Sequence, residues 1–346
     1  MIDNIRIRNY KSIVDTTLEL GQFNVVIGTN GCGKSNILEA ITMASTASIN
    51  KLDNEFLLNR NIRLTEPEFM VNAFDDIESE NSLVRIDIHC KGDEDTPYAE
   101  LRCIPKYKAW QDEGNLTKRT MQMQPAERPS YTQYLTYRPE EKLLREVKDS
   151  PIYPLGIRGE GLMQYLKEIS SKEEYKDLFV KINNGLKMLD WFDGFDIPDG
   201  LLTNEYKLAI GDKYLKDSLH SFDQRSTNEG FLYLLFFLTL FNSQDTPNFF
   251  AVDNIETSFN PGLCQSLTRY LVKTAKENDK QVILTTHNPF VLDGLDIQDD
   301  EVRLFVCRRD IDGHTKIERI KYREDRKMSL SELWMSGLIG ALPDNF

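Results

Sequence analysis

The sequence lacks the features that would place it in a membrane, outside the cell or around a zinc ion. It has no run of about 18 apolar residues, the length that a helix needs to span a bilayer, and its densest apolar run, residues 231–241, has the length of a buried helix. The first residues, MIDNIRIRNYKS, contain no apolar core of a signal peptide. The five cysteines are scattered, and no two have zinc-finger spacing. We therefore expect a cytoplasmic protein with free, buried thiols and no membrane contact.

The chain also lacks an excess of positive charge. Its formal net charge is −13 over 346 residues, whereas a protein that grips nucleic acid by itself usually carries a basic balance or patch. The nearest to a patch is the cluster Lys106, Lys108, Lys118, Arg119 and Arg128. Acidic residues interrupt this cluster, as is typical of a solvated loop. Nucleic acid stays open as a partner, but the charge does not favour it.

A phosphate-loop motif is the strongest signal in the sequence. Residues 23–36 read FNVVIGTNGCGKSN, in which Gly28, Gly33, Lys34 and Ser35 fit the pattern G-x-x-x-x-G-K-[ST]. The pattern has the context that it requires, because an apolar β-branched run precedes it and a helical pattern follows it. We expect the loop N–H groups to surround phosphates, Lys34 to reach the outer phosphates, and Ser35 to ligate Mg²⁺. The remaining loop residues predicted to bind nucleotide are Asn30, Gly31, Cys32 and Asn36.

A second pair of segments supplies the polar groups that such a loop needs. Residues 249–253, FFAVD, read as a buried strand that ends in Asp253, which we expect to orient Mg²⁺. Residues 282–287, VILTTH, read as another buried strand, followed by His287. Parallel neighbouring strands would bring Asp253 and His287 to one γ-phosphate site. Alone, His287 would read as an ordinary capped loop histidine; behind a phosphate loop and Asp253, the phosphate contact is favoured.

The periodicity of the rest of the chain predicts a mixed α/β protein. The predicted strands are residues 2–7, 18–20, 23–27, 68–74, 82–90, 98–104, 205–210, 213–215, 248–252, 281–285, 302–308 and 315–321. The predicted helices are residues 35–45, 140–148, 160–169, 173–189, 228–241, 261–277 and 329–340. Ser329 and Glu332 would form a capping box on the last helix. Residues 105–139 show no period and are expected to form a long loop or mobile insertion.

These motifs together resemble the RecF, SMC and OLD group of ABC-type ATPases. The likeness lies in IRIRNYKS and GTNGCGKSN near the start, and in FFAVDNIETSFNP and VILTTHNPFVLDGL further on. It covers about residues 1–45 and 220–320. The resemblance implies an ABC-type ATPase head, with a P-loop mixed sheet, an antiparallel β lobe and a helical insert. It also implies ATP and Mg²⁺ as ligands, and a homodimer or higher oligomer that closes head-to-tail around two ATP molecules.

The resemblance also divides the chain and locates further site residues. Residues 1–105 and 221–346 would form the two parts of the head, and residues 106–220 the insert. In the family, a signature segment of one subunit caps the γ-phosphate bound by the other. By position this segment would be residues 226–230, with Ser226 and Gly230 as its contacts, although an ordinary helix N-cap explains the same residues almost as well. Lys11 matches a basic residue that lies near nucleotide in the family; the competing interpretation is a surface lysine.

One residue departs from the family pattern. The family usually has Glu directly after the Walker B Asp as general base, and this chain has Asn254. Asn can orient a water but cannot take its proton as a carboxylate does. Glu256 would project on the same side as Asn254 in an extended chain and could take over. We therefore expect tight ATP binding with slow hydrolysis, and assign Asn254, Glu256 and His287 as the catalytic candidates.

Four functions are compatible with this site. The first is an ATPase subunit of a bacterial antiphage system of the Septu, PARIS or retron-associated kind, which controls a separate nuclease or toxin through ATP-dependent assembly. The acidic charge favours it, and so does the lack of a recognisable TOPRIM nuclease segment after the head. The second is a RecF-like clamp for DNA repair. The third is a transporter ATPase, against which the weak signature segment and the RecF-type N-terminus argue. The fourth is an ATP-binding scaffold that never hydrolyses ATP, which Asn254 leaves open.

Overall fold

A computed structural model describes residues 1–72, 74, 83–104, 109–146, 148, 150–202, 205–216, 219–324, 327–340 and 342. The strands, in chain order, are β1 (Ile2–Tyr10), β2 (Ile13–Glu19), β3 (Phe23–Gly28), β4 (Leu83–Cys90), β5 (Tyr98–Ile104), β6 (Ala109–Asp112), β7 (Leu135–Tyr137), β8 (Phe192–Asp196), β9 (Ala209–Asp212), β10 (Phe249–Val252), β11 (Gln281–Thr285), β12 (Val302–Arg309) and β13 (Thr315–Ile320). The helices are α1 (Lys34–Ser48), α2 (Asn54–Leu58), α3 (Pro67–Met70), α4 (Leu116–Met121), α5 (Glu141–Arg145), α6 (Leu162–Ser170), α7 (Lys176–Leu186), α8 (Glu229–Asn242), α9 (Pro261–Glu277) and α10 (Leu330–Met335).

A mixed six-stranded sheet forms the centre, in the order β13-β12-β3-β11-β10-β7. Its strands are parallel except β13, which pairs antiparallel with β12. Residues of β10 alternate between two cores, with Phe250 and Val252 on one face and Phe249 and Ala251 on the other. Because both faces are covered, the strand is apolar throughout, as parallel strands usually are. The predicted mixed α/β fold is confirmed.

The two faces carry different layers. On one face, α1 lies between the central sheet and a five-stranded antiparallel sheet, in the order β2-β1-β4-β5-β6. The other face packs against α8, α9 and the helices of residues 140–190. Helix α8 is buried from Phe231 to Asn242, which confirms the prediction that its apolar run is a core helix. In the part of the chain that the structure describes, no helix is long and apolar enough to cross a membrane.

The predicted loop at residues 105–139 is wrong. Of this range, residues 105–108 lie outside the described residues, and the remainder contains β6, α4 and β7. Strand β7 pairs parallel with β10, with Tyr137 opposite Val252. Tyr134, Leu135 and Tyr137 are almost completely buried. A strand of three residues is too short to show the alternation of apolar and polar residues that predicts a strand. Strand β7 was therefore not predicted, although two of its three residues are buried.

Two other predictions of secondary structure are wrong. Residues 67–70 are helical rather than part of a strand, and Val71 forms only an isolated bridge to Tyr10; residue 73 of the predicted strand lies outside the described residues. The two predicted strands at residues 205–210 and 213–215 are also wrong, because a single strand, β9, runs from Ala209 to Asp212 and pairs with β8. Strand β8 was not predicted, because its segment is rich in turn-forming residues. Its buried Phe192 and Phe195 face the core.

Element ends differ by a few residues elsewhere. The bounds of α9 and β11 agree with the prediction, and the capping box of Ser329 and Glu332 is confirmed. Strand β2 begins earlier than predicted, and the helices α5, α6, α7 and α10 are shorter than predicted. Such differences are ordinary for helix and strand ends, where tertiary packing decides the boundary.

Candidate nucleotide-binding site

The loop between β3 and α1 holds its lysine in place. The Lys34 ammonium is buried and donates hydrogen bonds to the carbonyl oxygens of Gly28, at 2.7 Å, and Thr29, at 3.1 Å. Helix α1 begins at Lys34 and has no acidic residue in its first turn. The free N–H groups and the positive end of the helix dipole therefore point toward the loop. This end of α1 is suited to an anion.

Two glycines are required by close approach of the backbone. A Cβ atom on Gly28 would lie 2.2 Å from the carbonyl oxygen of Cys307, and one on Gly33 would lie 2.2 Å from Oγ1 of Thr315. Gly33 also has φ of 114°, in the region that favours glycine. Side chains at these positions would displace the loop, so the motif glycines fit a cradle for phosphates.

Asp253 is fixed at the tip of β10 by its neighbours on both sides. Its N–H donates to the carbonyl of Tyr137 on β7, at 2.9 Å. The Thr285 hydroxyl, at the end of β11, donates to Oδ1 of Asp253 at 2.6 Å and accepts the N–H of Asn254 at 2.9 Å. A hydroxyl and a carboxylate are the hard oxygen ligands that Mg²⁺ prefers, so the donor groups of Ser35 and Asp253, which line one cavity, fit the chemistry of a magnesium site.

Glu256 faces the histidine loop rather than the side of Asn254. Asn254 has φ of 60° and begins a turn, so the expected extended chain, with both side chains projecting alike, is wrong. Instead, Oε1 of Glu256 accepts the backbone N–H of His287 at 2.9 Å. Burial, together with the nearby charge of Lys34, lowers the pKa of His287 below its ordinary value. The same two causes favour the neutral form of the imidazole.

A cleft of about 370 Å³ brings the predicted residues together. Its lining consists of Asn30, Gly31, Gly33, Lys34, Ser35, Asn36, Arg63, Arg138, Asp253, Asn254, His287 and Arg309. Gly28 lies outside this lining, but its carbonyl oxygen holds Lys34. The Cys32 side chain is buried, and its carbonyl accepts hydrogen bonds from Thr315 and Cys307, so only its backbone could meet phosphate. Phosphate loop, Asp253, Asn254 and His287 thus share one cleft.

The predicted signature residues lie elsewhere. Ser226 is exposed just before α8, and Gly230 lies in the first turn of that helix beside Ser258. Neither lines the cleft of its own chain. The Ser258 hydroxyl donates to Glu229 at 2.7 Å, which joins the loop after β10 to the start of α8. Asn228 caps the helix through a hydrogen bond to the N–H of Phe231.

Lys11 does not line the cleft. Its ammonium pairs with Glu39 at 2.5 Å, and both side chains are largely buried. Burial lowers the pKa of Lys11 despite this pairing. The interpretation as an ordinary surface lysine is therefore wrong, and the contact with nucleotide stays a prediction.

Three arginines of the cleft were missed in the sequence: Arg63, Arg138 and Arg309. Arg63 binds Glu39 and Asn36 of α1, and Arg309 donates to the carbonyl of Gly31. No local motif marks Arg63 or Arg309, because each reaches the loop from a distant segment. Arg138 directly follows β7, so a correct assignment of that strand would have revealed it.

Comparison with family models gives two matches. A model described as an AAA ATPase domain matches residues 1–190, more than half of the 346 residues. A second model, for an AAA domain that its description links to the AbiEii toxin of a type IV toxin–antitoxin system, matches residues 204–293. A comparison with curated proteins finds no match.

Several solved structures share the fold. The SMC head bound to the C-winged helix domain of ScpA has a TM-score of 0.60 and 14% identity, with 94% of this chain and 99% of that chain covered. The SMC head domain from Thermotoga maritima has a TM-score of 0.54 and 13% identity, with 93% and 99% covered. The Pyrococcus furiosus SMC head with an extended coiled coil, bound to the C-terminal domain of ScpA, has a TM-score of 0.60 and 12% identity, with 97% and 98% covered.

The proximity of His287 to Lys34 can be measured by titration. Replacing Lys34 with Met removes a positive charge that disfavours the imidazolium, so we expect the pKa of His287 to rise toward its ordinary value of about 6.5. The measurement is NMR of histidine-labelled protein, in which the His287→Gln variant assigns one of four signals. Lys51→Met serves as the control, because Lys51 is exposed and lies beyond the far end of α1. If the pKa of His287 did not change in Lys34→Met, the charge of Lys34 would not act on His287, and the two side chains would not be close neighbours.

Proposed function

Because the chain belongs to the AAA ATPase domain family and has the fold of an SMC head, we propose that it binds Mg²⁺–ATP in this cleft, hydrolyses it slowly, and uses ATP-dependent assembly to control a separate effector protein. The observation that carries the proposal is the single cleft shared by Lys34, Ser35, Asp253 and His287. These residues come from three neighbouring parallel strands and the helix that follows one of them. Such an edge is where open α/β sheets bind their ligands.

Each residue has a defined part in holding ATP. The loop N–H groups and Lys34 bind the phosphates, since both present donors at the start of α1. Ser35 and Asp253 hold Mg²⁺, which neutralises phosphate charge when bound. The neutral His287 imidazole donates or accepts a hydrogen bond at the γ-phosphate end of the cleft.

Slow hydrolysis follows from the residue after Asp253. The Asn254 carboxamide can orient a water but cannot remove its proton. The nearest substitute, Glu256, already accepts the His287 N–H with one oxygen, while its other oxygen is buried without a hydrogen-bond partner. Glu256 therefore serves to position the histidine loop, and its role as a base is the weaker alternative.

The Asn254→Glu substitution tests this explanation. A carboxylate at this position would act as general base, and we expect the rate of ATP hydrolysis to rise about tenfold or more. Phosphate release by the purified protein is the readout. Asn248→Glu adds the same charge at an exposed position near the other end of β10 and should change nothing.

A thermal melt checks that Asn254→Glu folds, because Asn tolerates φ of 60° better than Glu does. Rapid hydrolysis by the unmodified protein, at tens of turnovers per second, without acceleration by Asn254→Glu would contradict the explanation.

Head-to-tail assembly is supported by the surface around α8. Ser226 is exposed, and the loop that carries it is held by Arg145, whose guanidinium donates to the carbonyls of Gln224 and Thr227 at 2.7 and 2.9 Å. A fixed, exposed segment at a helix start suits capping of a phosphate bound by another subunit. Ser226 and Gly230 are the proposed contacts.

Assembly can be followed by analytical ultracentrifugation. We expect ATP to convert the protein to a dimer or larger oligomer, and ADP to leave it in the smaller form. Lys34→Ala should bind no ATP in a calorimetric titration and should not assemble, whereas Lys51→Ala should behave as the unmodified protein. Assembly of Lys34→Ala at the same ATP concentration, or unaltered ATP affinity, would refute the site.

A role in antiphage defence is favoured over DNA repair. One of the matching family models is linked by its description to a toxin–antitoxin system, and the net charge of −13 disfavours duplex DNA as the main ligand. Within the described residues, the basic cluster near residue 119 is partly neutralised, since Arg119 pairs with Asp93 at 3.1 Å. A RecF-like clamp would require a basic groove, so a protein effector is the better partner.

Phage infection tests the defence role in cells. We expect the chain, expressed together with the genes that flank its own, to reduce plaque formation. Lys34→Ala should abolish that protection, and Lys51→Ala should retain it. Equal plaque numbers with and without the unmodified chain would contradict the defence role while leaving the ATP site intact.

A further inference from the structure

Arg138 differs from the other cations of the cleft. Lys34, Arg63 and Arg309 each donate hydrogen bonds to oxygens of the protein. Arg138 is exposed, and among the residues that the structure describes its guanidinium has neither a hydrogen bond nor an ion pair. It is thus the cation of this lining whose donors are all available to a ligand.

The position of Arg138 is set by the central sheet. Tyr137 ends β7 opposite Val252, and the Tyr137 carbonyl accepts the N–H of Asp253. Arg138 therefore emerges at the same edge of the sheet as Asp253, on the neighbouring strand. Its own N–H donates to the carbonyl of Ile157 at 2.8 Å, so the backbone is anchored while the side chain is not.

The residues around Arg138 leave its guanidinium available to bind a phosphate. Asn254, which lines the same cleft, carries no charge and so offers Arg138 no ion pair, whereas a carboxylate at this position would. Arg138 also lines a second cavity of about 670 Å³, which shares Ser35, Arg63 and Asp253 with the phosphate cleft. The side chain therefore lies where the two cavities meet.

We propose that Arg138 contacts the γ-phosphate of the ATP bound by its own chain, and that this contact lets the site distinguish ATP from ADP. The inference rests on the proposed function. Asp253 and His287 mark the outer-phosphate end of the cleft, and Arg138 joins them there from β7. A guanidinium binds phosphate with two parallel hydrogen bonds, a geometry that an ammonium lacks. Lys34 grips the phosphates of both nucleotides, whereas Arg138 adds a contact that ADP cannot make.

The test compares two nucleotides in binding rather than in turnover. Calorimetric affinities for a non-hydrolysable ATP analogue and for ADP, both with Mg²⁺, are measured on the full chain. We expect Arg138→Ala to lower the affinity for the analogue about tenfold or more, as loss of a charged hydrogen bond does. ADP affinity should change by less than about threefold. Arg138→Gln, which keeps the shape and removes the charge, should give the same selective loss.

Arg158→Ala is the matched control, because Arg158 is also exposed and lies nearby but outside the cleft lining. It should leave both affinities unchanged. The inference would be overturned if both Arg138 variants lost affinity equally for ADP and for the analogue, or lost affinity for neither. In either case, nucleotide binding by the unmodified chain would still support the proposed site. Failure of the unmodified chain to bind either nucleotide would instead refute the proposed function, and the inference with it.

Discussion

The parallel pairing of β3, β11 and β10 is the constraint on which the rest of the site depends. Val25 lies opposite Leu284, and Leu284 lies opposite Val252, so segments more than two hundred residues apart are joined in one register. Because neighbouring parallel strands end at the same edge of the sheet, the phosphate loop, the histidine loop and Asp253 all lie at that edge. The apolar alternation of β10 between two cores fixes this register, since a slip of one residue would exchange the two faces.

Short polar links couple the parts of that edge. Thr285 holds both Asp253 and the backbone of Asn254, and Glu256 holds the backbone of His287. Ser258, two residues further on, reaches Glu229 at the start of α8. These hydrogen bonds connect the end of the cleft at Asp253 and His287 with the start of α8.

The sequence predicted what is local and missed what is assembled from distant segments. The phosphate loop, α9 and β11 each carry their own pattern, so their positions followed from neighbouring residues alone. Strand β7 has three residues and exists because β10 offers it an edge, a partner that no local period records. The missed strand also concealed Arg138. The predicted extended path of the chain after Asp253 was wrong for a related reason. The turn at Asn254 is held by a hydrogen bond to Thr285 of another strand.

A crystal structure of the chain with Mg²⁺ and a non-hydrolysable ATP analogue is the most direct test of the shared cleft. We expect phosphate density on the loop of residues 28–35, with the metal contacting Ser35 and held near the Asp253 carboxylate. His287 and Arg138 should face the terminal phosphate. Nucleotide density at another surface, or a metal far from Asp253, would contradict this expectation.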